Sequence, residues 1–146
     1  MKLTITAVVP APRERVFAAL VDPAILQRCI PGCESLVETA PDTYQAVLKV
    51  GVAGLKGTYT GTATIRDRRP SDALTLAVEG KGGSGFVRGT TAIALTIEDA
   101  ATRVACDADV QVGGLIAAVG SRLVEAAAKK LAADFFRQLS AELQTT

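Results

Sequence analysis

The sequence predicts an α+β fold. One antiparallel sheet with a dry face follows two short helices, and a long C-terminal helix covers that face. Three observations lead there. Apolar and polar residues alternate through "YQAVLKVGV", "GTYTGTATI", "ALTLAVEG", "GTTAIALTI" and "TRVACDADVQV", the period-two pattern of half-buried strands. The period then changes: Ile116, Val119, Leu123, Ala127, Leu131, Phe135, Leu139 and Leu143 fall on one helical stripe between Leu115 and Leu143. Finally, a sheet that is apolar on one side must bury that side, and only this helix, roughly 40 Å long, is large enough to do so.

Residues 2 to 9, "KLTITAVV", alternate and form the first strand rather than a signal peptide. Pro10 and Pro12 stop it. "PRERVFAALV" then opens a helix with Pro12 near its first turn, where a missing N–H costs little. Val16, Phe17 and Leu20 point to the core. "DPAIL" starts a second helix, with Asp22 as N-cap and Pro23 in the next position, and Pro31-Gly32 ends it. About six antiparallel strands follow before the terminal helix, all within one domain spanning residues 1–146.

Composition removes several function classes. Sixteen basic residues face fifteen acidic ones, so no bulk field favours nucleic acid. There is no Trp, with two Tyr and four Phe, too few stacking platforms for a single-strand binder. The chain has no histidine, which takes away the usual proton shuttle, the familiar nucleophile triads and most zinc sites together. Three cysteines, an odd number, fit a reducing cytoplasm better than a disulfide framework. No run approaches the ~20 apolar residues of a membrane span.

Side-chain size then bears on function. A twisted sheet wrapped around a helix leaves a space between them. Many residues expected to face it are small: Ala46, Gly57, Gly61, Ala63, Ala108 and Ala127. The expectation is an apolar cavity, the alternative a close approach of helix and sheet.

The order of elements, headed by "VPAPRERVFAALVDPAILQRCIPGCESL", resembles the START-like (SRPBCC) helix-grip fold and, more narrowly, the CoxG family associated with carbon monoxide dehydrogenase. The matching residues are Ala11-Pro12, Phe17, Asp22-Pro23, Cys29-Ile30-Pro31-Gly32-Cys33-Glu34, Lys56-Gly57, the "GKGGSGF" run, and "DVQVGGLIAAVGSRL" leading to Phe135 and Phe136. The resemblance covers essentially the whole chain. It implies a non-catalytic accessory protein of a molybdenum-containing CO dehydrogenase or related hydroxylase, one that binds a lipid-like molecule such as menaquinone or ubiquinone. Some family members continue into a tail with a membrane-binding end. This sequence stops at Thr146, so the expectation is a cytoplasmic protein with at most peripheral contact at the inner face of the membrane. The alternatives are a ligand-free assembly factor for the same complex, with Phe136 and Leu143 as its exposed apolar patch, and a small cyclase or hydrolase.

On that fold the expected ligand contacts are Leu26, Ile30, Leu55, Tyr59, Phe86, Leu115, Ile116, Val119 and Leu123. The turn of Cys29, Pro31, Gly32 and Cys33 is read either as a plain structural turn or as a gate at the cavity mouth. Cys29 and Cys33 have C-x3-C spacing, and the only further sulfur ligand is Cys106 on a dry strand face. No metal and no cofactor are expected, and a regulatory disulfide is the minor alternative. "GKGGSG" spells a dinucleotide fingerprint but leads into a strand pattern, so it reads as a glycine-rich hairpin. Phe86 after it is a cavity plug, a ligand contact or a core residue. "VGGLIAAVGS" is the corner that swings the long helix across the sheet, placing Leu115, Ile116 and Val119 at one cavity end. Asp107 and Asp109 lie on a wet strand face, and Glu14 and Glu34 read as surface groups. No two carboxylates converge, so no catalytic residue is assigned.

Overall fold

The computed structural model describes residues 1–51 and 56–144. In chain order the elements are β1 (Lys2–Val9), α1 (Arg13–Leu20), α2 (Pro23–Cys29), β2 (Cys33–Ala40), β3 (Thr43–Val50), β4 (Gly57–Arg69), β5 (Ala73–Gly82), β6 (Gly85–Glu98), β7 (Ala101–Gly113), α3 (Leu115–Ala118) and α4 (Ser121–Gln144). The seven strands form one antiparallel sheet ordered β1-β7-β6-β5-β4-β3-β2. The predicted α+β architecture is present, with six strands between α2 and the terminal helical region. Val52, at the end of the first predicted run after α2, lies outside the described residues.

The local signals act as expected at the N-terminal end. Pro12 stands in extended conformation at the N-cap of α1, and Asp22 caps α2 by accepting from the Ala24 N–H at 3.0 Å. β1 crosses to the far edge and pairs with β7 from Lys2↔Asp109 to Val9↔Thr102. Thr102 is the one buried polar residue among the described residues, and its hydroxyl donates to the Ala11 carbonyl at 2.7 Å. That bond fixes the crossing from β1 into α1.

The terminal helix is not continuous. α3 is a single turn, and Gly120, with φ at +95°, breaks the path before α4 starts at Ser121. A positive φ is costly for a residue with a Cβ, so glycine sits where the chain must turn. Before the break Ile116 is buried, and after it Val124, Ala127, Leu139 and Leu143 are. Val124 therefore takes the inward position that an unbroken stripe assigns to Leu123.

The core divides in two. The larger cluster gathers α1, α2 and the C-terminal part of α4 on one end of the sheet: Val9, Val16, Phe17, Leu20, Cys29, Tyr44, Ile65, Leu95, Val104 and Leu139 are among its members. The smaller holds Tyr59, Ile116, Val124 and Ala127 at the other end. α4 lies closest to α2 and β1 rather than to the middle strands. Replacing Thr102 with Val leaves the Ala11 carbonyl without its buried donor. The expected cost is about 1–3 kcal/mol of stability, read from urea denaturation.

Candidate functional site

The region between the two clusters is the candidate site. Along the inner face of the sheet it presents Leu48, Ala63, Val78, Thr91 and Ala108, and Leu131 lies on α4 between the buried Ala127 and Leu139. All six are only half-buried, and none belongs to either cluster. Their inward direction follows from register: Ala63 pairs with both Tyr44 and Val78, and Ala108 pairs with Thr91 and with the buried Leu3. Inward side chains of middle strands keep solvent-accessible surface only where the covering element stands away.

The sequence-predicted contacts divide into two groups. Tyr59, Ile116 and Val119 come together in the smaller cluster with Ala127, which was expected to face the interior, and with Val124, Val50, Val87 and Val112, which were not among the expected contacts. Val87 was available from the pattern, because it pairs with Val112 on the dry face of β7. Leu26 and Ile30 are half-buried at α2 and its C-cap. Phe86, Leu115 and Leu123 do not join them. Phe86 is 42% exposed on the opposite face of the sheet, its ring over Gly113 and its centroid 5.7 Å from the Arg88 guanidinium carbon. Strand alternation forces this, since the inward position is Val87. Leu115 and Leu123 are 69% and 53% exposed, while their chain neighbours Ile116 and Val124 are the buried ones. Leu55 lies outside the described residues. The expected apolar patch also moves: Leu143 is buried and Phe136 half-buried against the larger cluster, so neither is an exposed docking residue.

The outer face holds a separate concavity of about 770 Å³. Val37, Val47, Thr60, Glu79, Phe86 and Arg88 border it. Arg88 also donates to Gln111 Oε1 at 2.9 Å. These six side chains occupy outward strand positions, and the inward-parity residues Ala46, Gly61, Gly80 and Val87 also border the concavity.

At the Cys29–Cys33 turn, Gly32 has φ at +73°, and a Cβ there would collide with the Lys49 carbonyl oxygen. The Gly32 carbonyl accepts from the Lys49 N–H at 2.8 Å. The turn is thus pinned to β3 by a close backbone approach that only glycine allows. Above it, Arg28 of α2 donates from Nε to Glu142 Oε1 of α4 at 2.9 Å, tying the two helices at this end. The Cys33 thiol points to the Ser35 carbonyl at 3.3 Å. Burial pushes the Cys29 and Cys33 thiols up and takes Cys106 to about 11. Thiols held protonated at neutral pH are poor nucleophiles and poor metal ligands.

The "GKGGSG" run is the β5–β6 hairpin. The Ser84 carbonyl accepts from the Ile116 N–H at 2.9 Å, so the hairpin holds α3 in place, and a strand follows rather than a helix. Among the described residues no group of three or more His, Cys, Asp or Glu side chains could hold a metal ion, and no helix is long and apolar enough to cross a membrane.

A sheet folded over a C-terminal helix is the arrangement of START-like proteins. A START superfamily protein from Mycobacterium smegmatis superposes with a TM-score of 0.78 at 12% identity, over 99% of this chain and 97% of that one. A second protein from the same organism gives 0.75 at 17% identity, covering 99% and 91%. At these identities the likeness is one of fold. A conserved protein from Geobacillus kaustophilus is much nearer: 36% identical, TM-score 0.96, covering 99% of this chain and 96% of that chain. The family model of the carbon monoxide dehydrogenase protein CoxG matches residues 6–144, and the chain belongs to that family. A search of the curated proteins gives no match.

The Cys106 thiol sets an alkaline limit. Its folded pKa, about 11, lies above the ordinary thiol value of 9.0. Its contribution is therefore complete below pH 9 and is lost as pH rises toward 11, where the unfolded chain releases a proton that the folded one keeps. The expected loss is about 2–3 kcal/mol across that window. Denaturation curves at pH 8.5 and 10.5 check it, and Cys106→Val should flatten the difference.

Proposed function

We propose that this protein is a non-catalytic accessory of a molybdenum-containing CO dehydrogenase or a related hydroxylase. In this reading it holds an apolar, lipid-like molecule, with a membrane quinone such as menaquinone or ubiquinone as the best candidate. The observation that carries the proposal is the interior between the two core clusters, where Leu48, Ala63, Val78, Ala108 and Leu131 are apolar yet only half-buried. Membership of the CoxG family supports the enzyme partner.

Affinity would come from removing apolar ligand surface from water, at roughly 25 cal/mol per Å² before the cost of ordering. Entry would fall at the end formed by α3, the β5–β6 hairpin and the Cys29–Cys33 turn. There Leu26, Ile30, Ile116 and Val119 would meet the ligand, with Pro31 and Gly32 as the pinned edge of the opening. The protein would work in the cytoplasm, at most in peripheral contact with the membrane's inner face. Native mass spectrometry of purified protein mixed with menaquinone or ubiquinone tests the proposal. One retained quinone per chain is expected, and a chain that never retains either overturns it.

A second reading is an assembly factor for the same enzyme that needs no ligand. The exposed Leu115 and Leu123 and the outer concavity beside Val37 and Phe86 favour it. Pull-down of the dehydrogenase with fully delipidated protein separates the two. Under the carrier reading, capture should drop when the interior is emptied. Under the assembly reading it should not change.

A further inference from the structure

Tyr59 stands in β4 opposite Leu48 of β3 and Gly82 of β5. Its ring lies against Gly82, where an added Cβ would approach the Tyr59 Cδ2 to 3.2 Å. The residue is only 8% exposed and packs with Ile116, Val124 and Ala127, with Val50, Val87, Val112 and Val119 around them. Its hydroxyl oxygen is sealed from solvent and has no hydrogen-bond partner among the described residues. Buried hydroxyls elsewhere in the chain are treated differently: Thr102, equally enclosed, has its acceptor at 2.7 Å.

A phenol with no partner in an apolar site is costly, because its desolvation is not offset by a bond. Phenylalanine would fill the same space without that cost. The other side chains of the cluster are aliphatic apart from Met1, whose thioether is at most a weak acceptor, and the hydroxyl is bonded to none of them. An acceptor can therefore be supplied by whatever occupies the interior beside this cluster. Ile116 is the fully buried side chain of the one-turn α3, which the hairpin holds through Ser84.

Resting on the carrier reading above, we infer that the Tyr59 hydroxyl donates a hydrogen bond to one oxygen of the bound apolar molecule. The site then selects lipids that carry a carbonyl at one end, as a quinone ring does, over plain hydrocarbons of the same bulk. A single neutral donor aimed from a rigid strand gives orientation as well as affinity.

Tyr59→Phe tests this with two probes, menaquinone-2 and squalene, titrated against both proteins by competition native mass spectrometry. Thermal unfolding of the ligand-free proteins is measured alongside. Quinone affinity should fall about five- to tenfold, the size of one neutral hydrogen bond. Squalene binding should not change, and the ligand-free variant should melt at the same temperature or higher. Equal quinone affinity in both proteins overturns the inference while leaving the carrier reading intact. A variant that loses both ligands together with thermal stability shows a packing role and also overturns it. If the unmodified protein retains neither probe, the carrier reading fails and this inference fails with it.

Discussion

The incomplete burial of the sheet's inner face at its middle strands, with α4 packed on α2 and β1, governs the rest of the structure. Helix and sheet meet at two places, and each is packed with large side chains: Phe17, Tyr44, Ile65 and Leu139 at one end, Tyr59 and Ile116 at the other. Between them the inner positions are alanine, threonine, valine and leucine that remain half-buried. Close packing normally draws a helix onto its sheet until such surface disappears. Here the two packed ends act as spacers. The N-terminal helices hold one end, through the Arg28–Glu142 ion pair and the Thr102–Ala11 bond. The β5–β6 hairpin holds the other through the Ile116–Ser84 backbone bond.

This arrangement gives the family resemblance a physical basis. The chain offers no histidine, its three cysteines have thiols pushed upward by burial, and its convergent residues are apolar. The outward surface differs in kind. It carries a concavity bordered by an aromatic ring, an arginine and a glutamate, and the exposed Leu115 and Leu123 lie at the start of the helical region.

Much of the fold is legible in the sequence because the signals are local. Asp22-Pro23 marks a helix start that does carry its cap, and the alternation in β7 gives both its faces correctly. The Cys29-Ile30-Pro31-Gly32-Cys33 segment points to the family. Less can be read where tertiary geometry decides. β2 is an edge strand with register shifts at Cys33/Ser35 and Glu38/Ala40, so it shows no clean period of two. Gly120 is tolerable inside a helical stripe on pattern alone, yet it separates α3 from α4, and at the start of α4 Val124 rather than Leu123 is buried. Phe86 stands out as a large apolar residue beside flexible backbone, but strand parity puts it outside and the smaller Val87 inside. Tyr59 stands out for its chemistry. That its hydroxyl lacks a partner is a property of its neighbours and cannot be read from one position.

The central claim is that the interior has unfilled volume beneath α4, and enlarging its small residues tests that directly. The measurement is the unfolding free energy of ligand-free Ala63→Leu and Ala108→Leu, by chemical denaturation against the unmodified protein. Stability should be unchanged or raised, because the added methyl groups enter open apolar space. A loss of about 1–3 kcal/mol in both, the cost of overpacking a filled core, would contradict it.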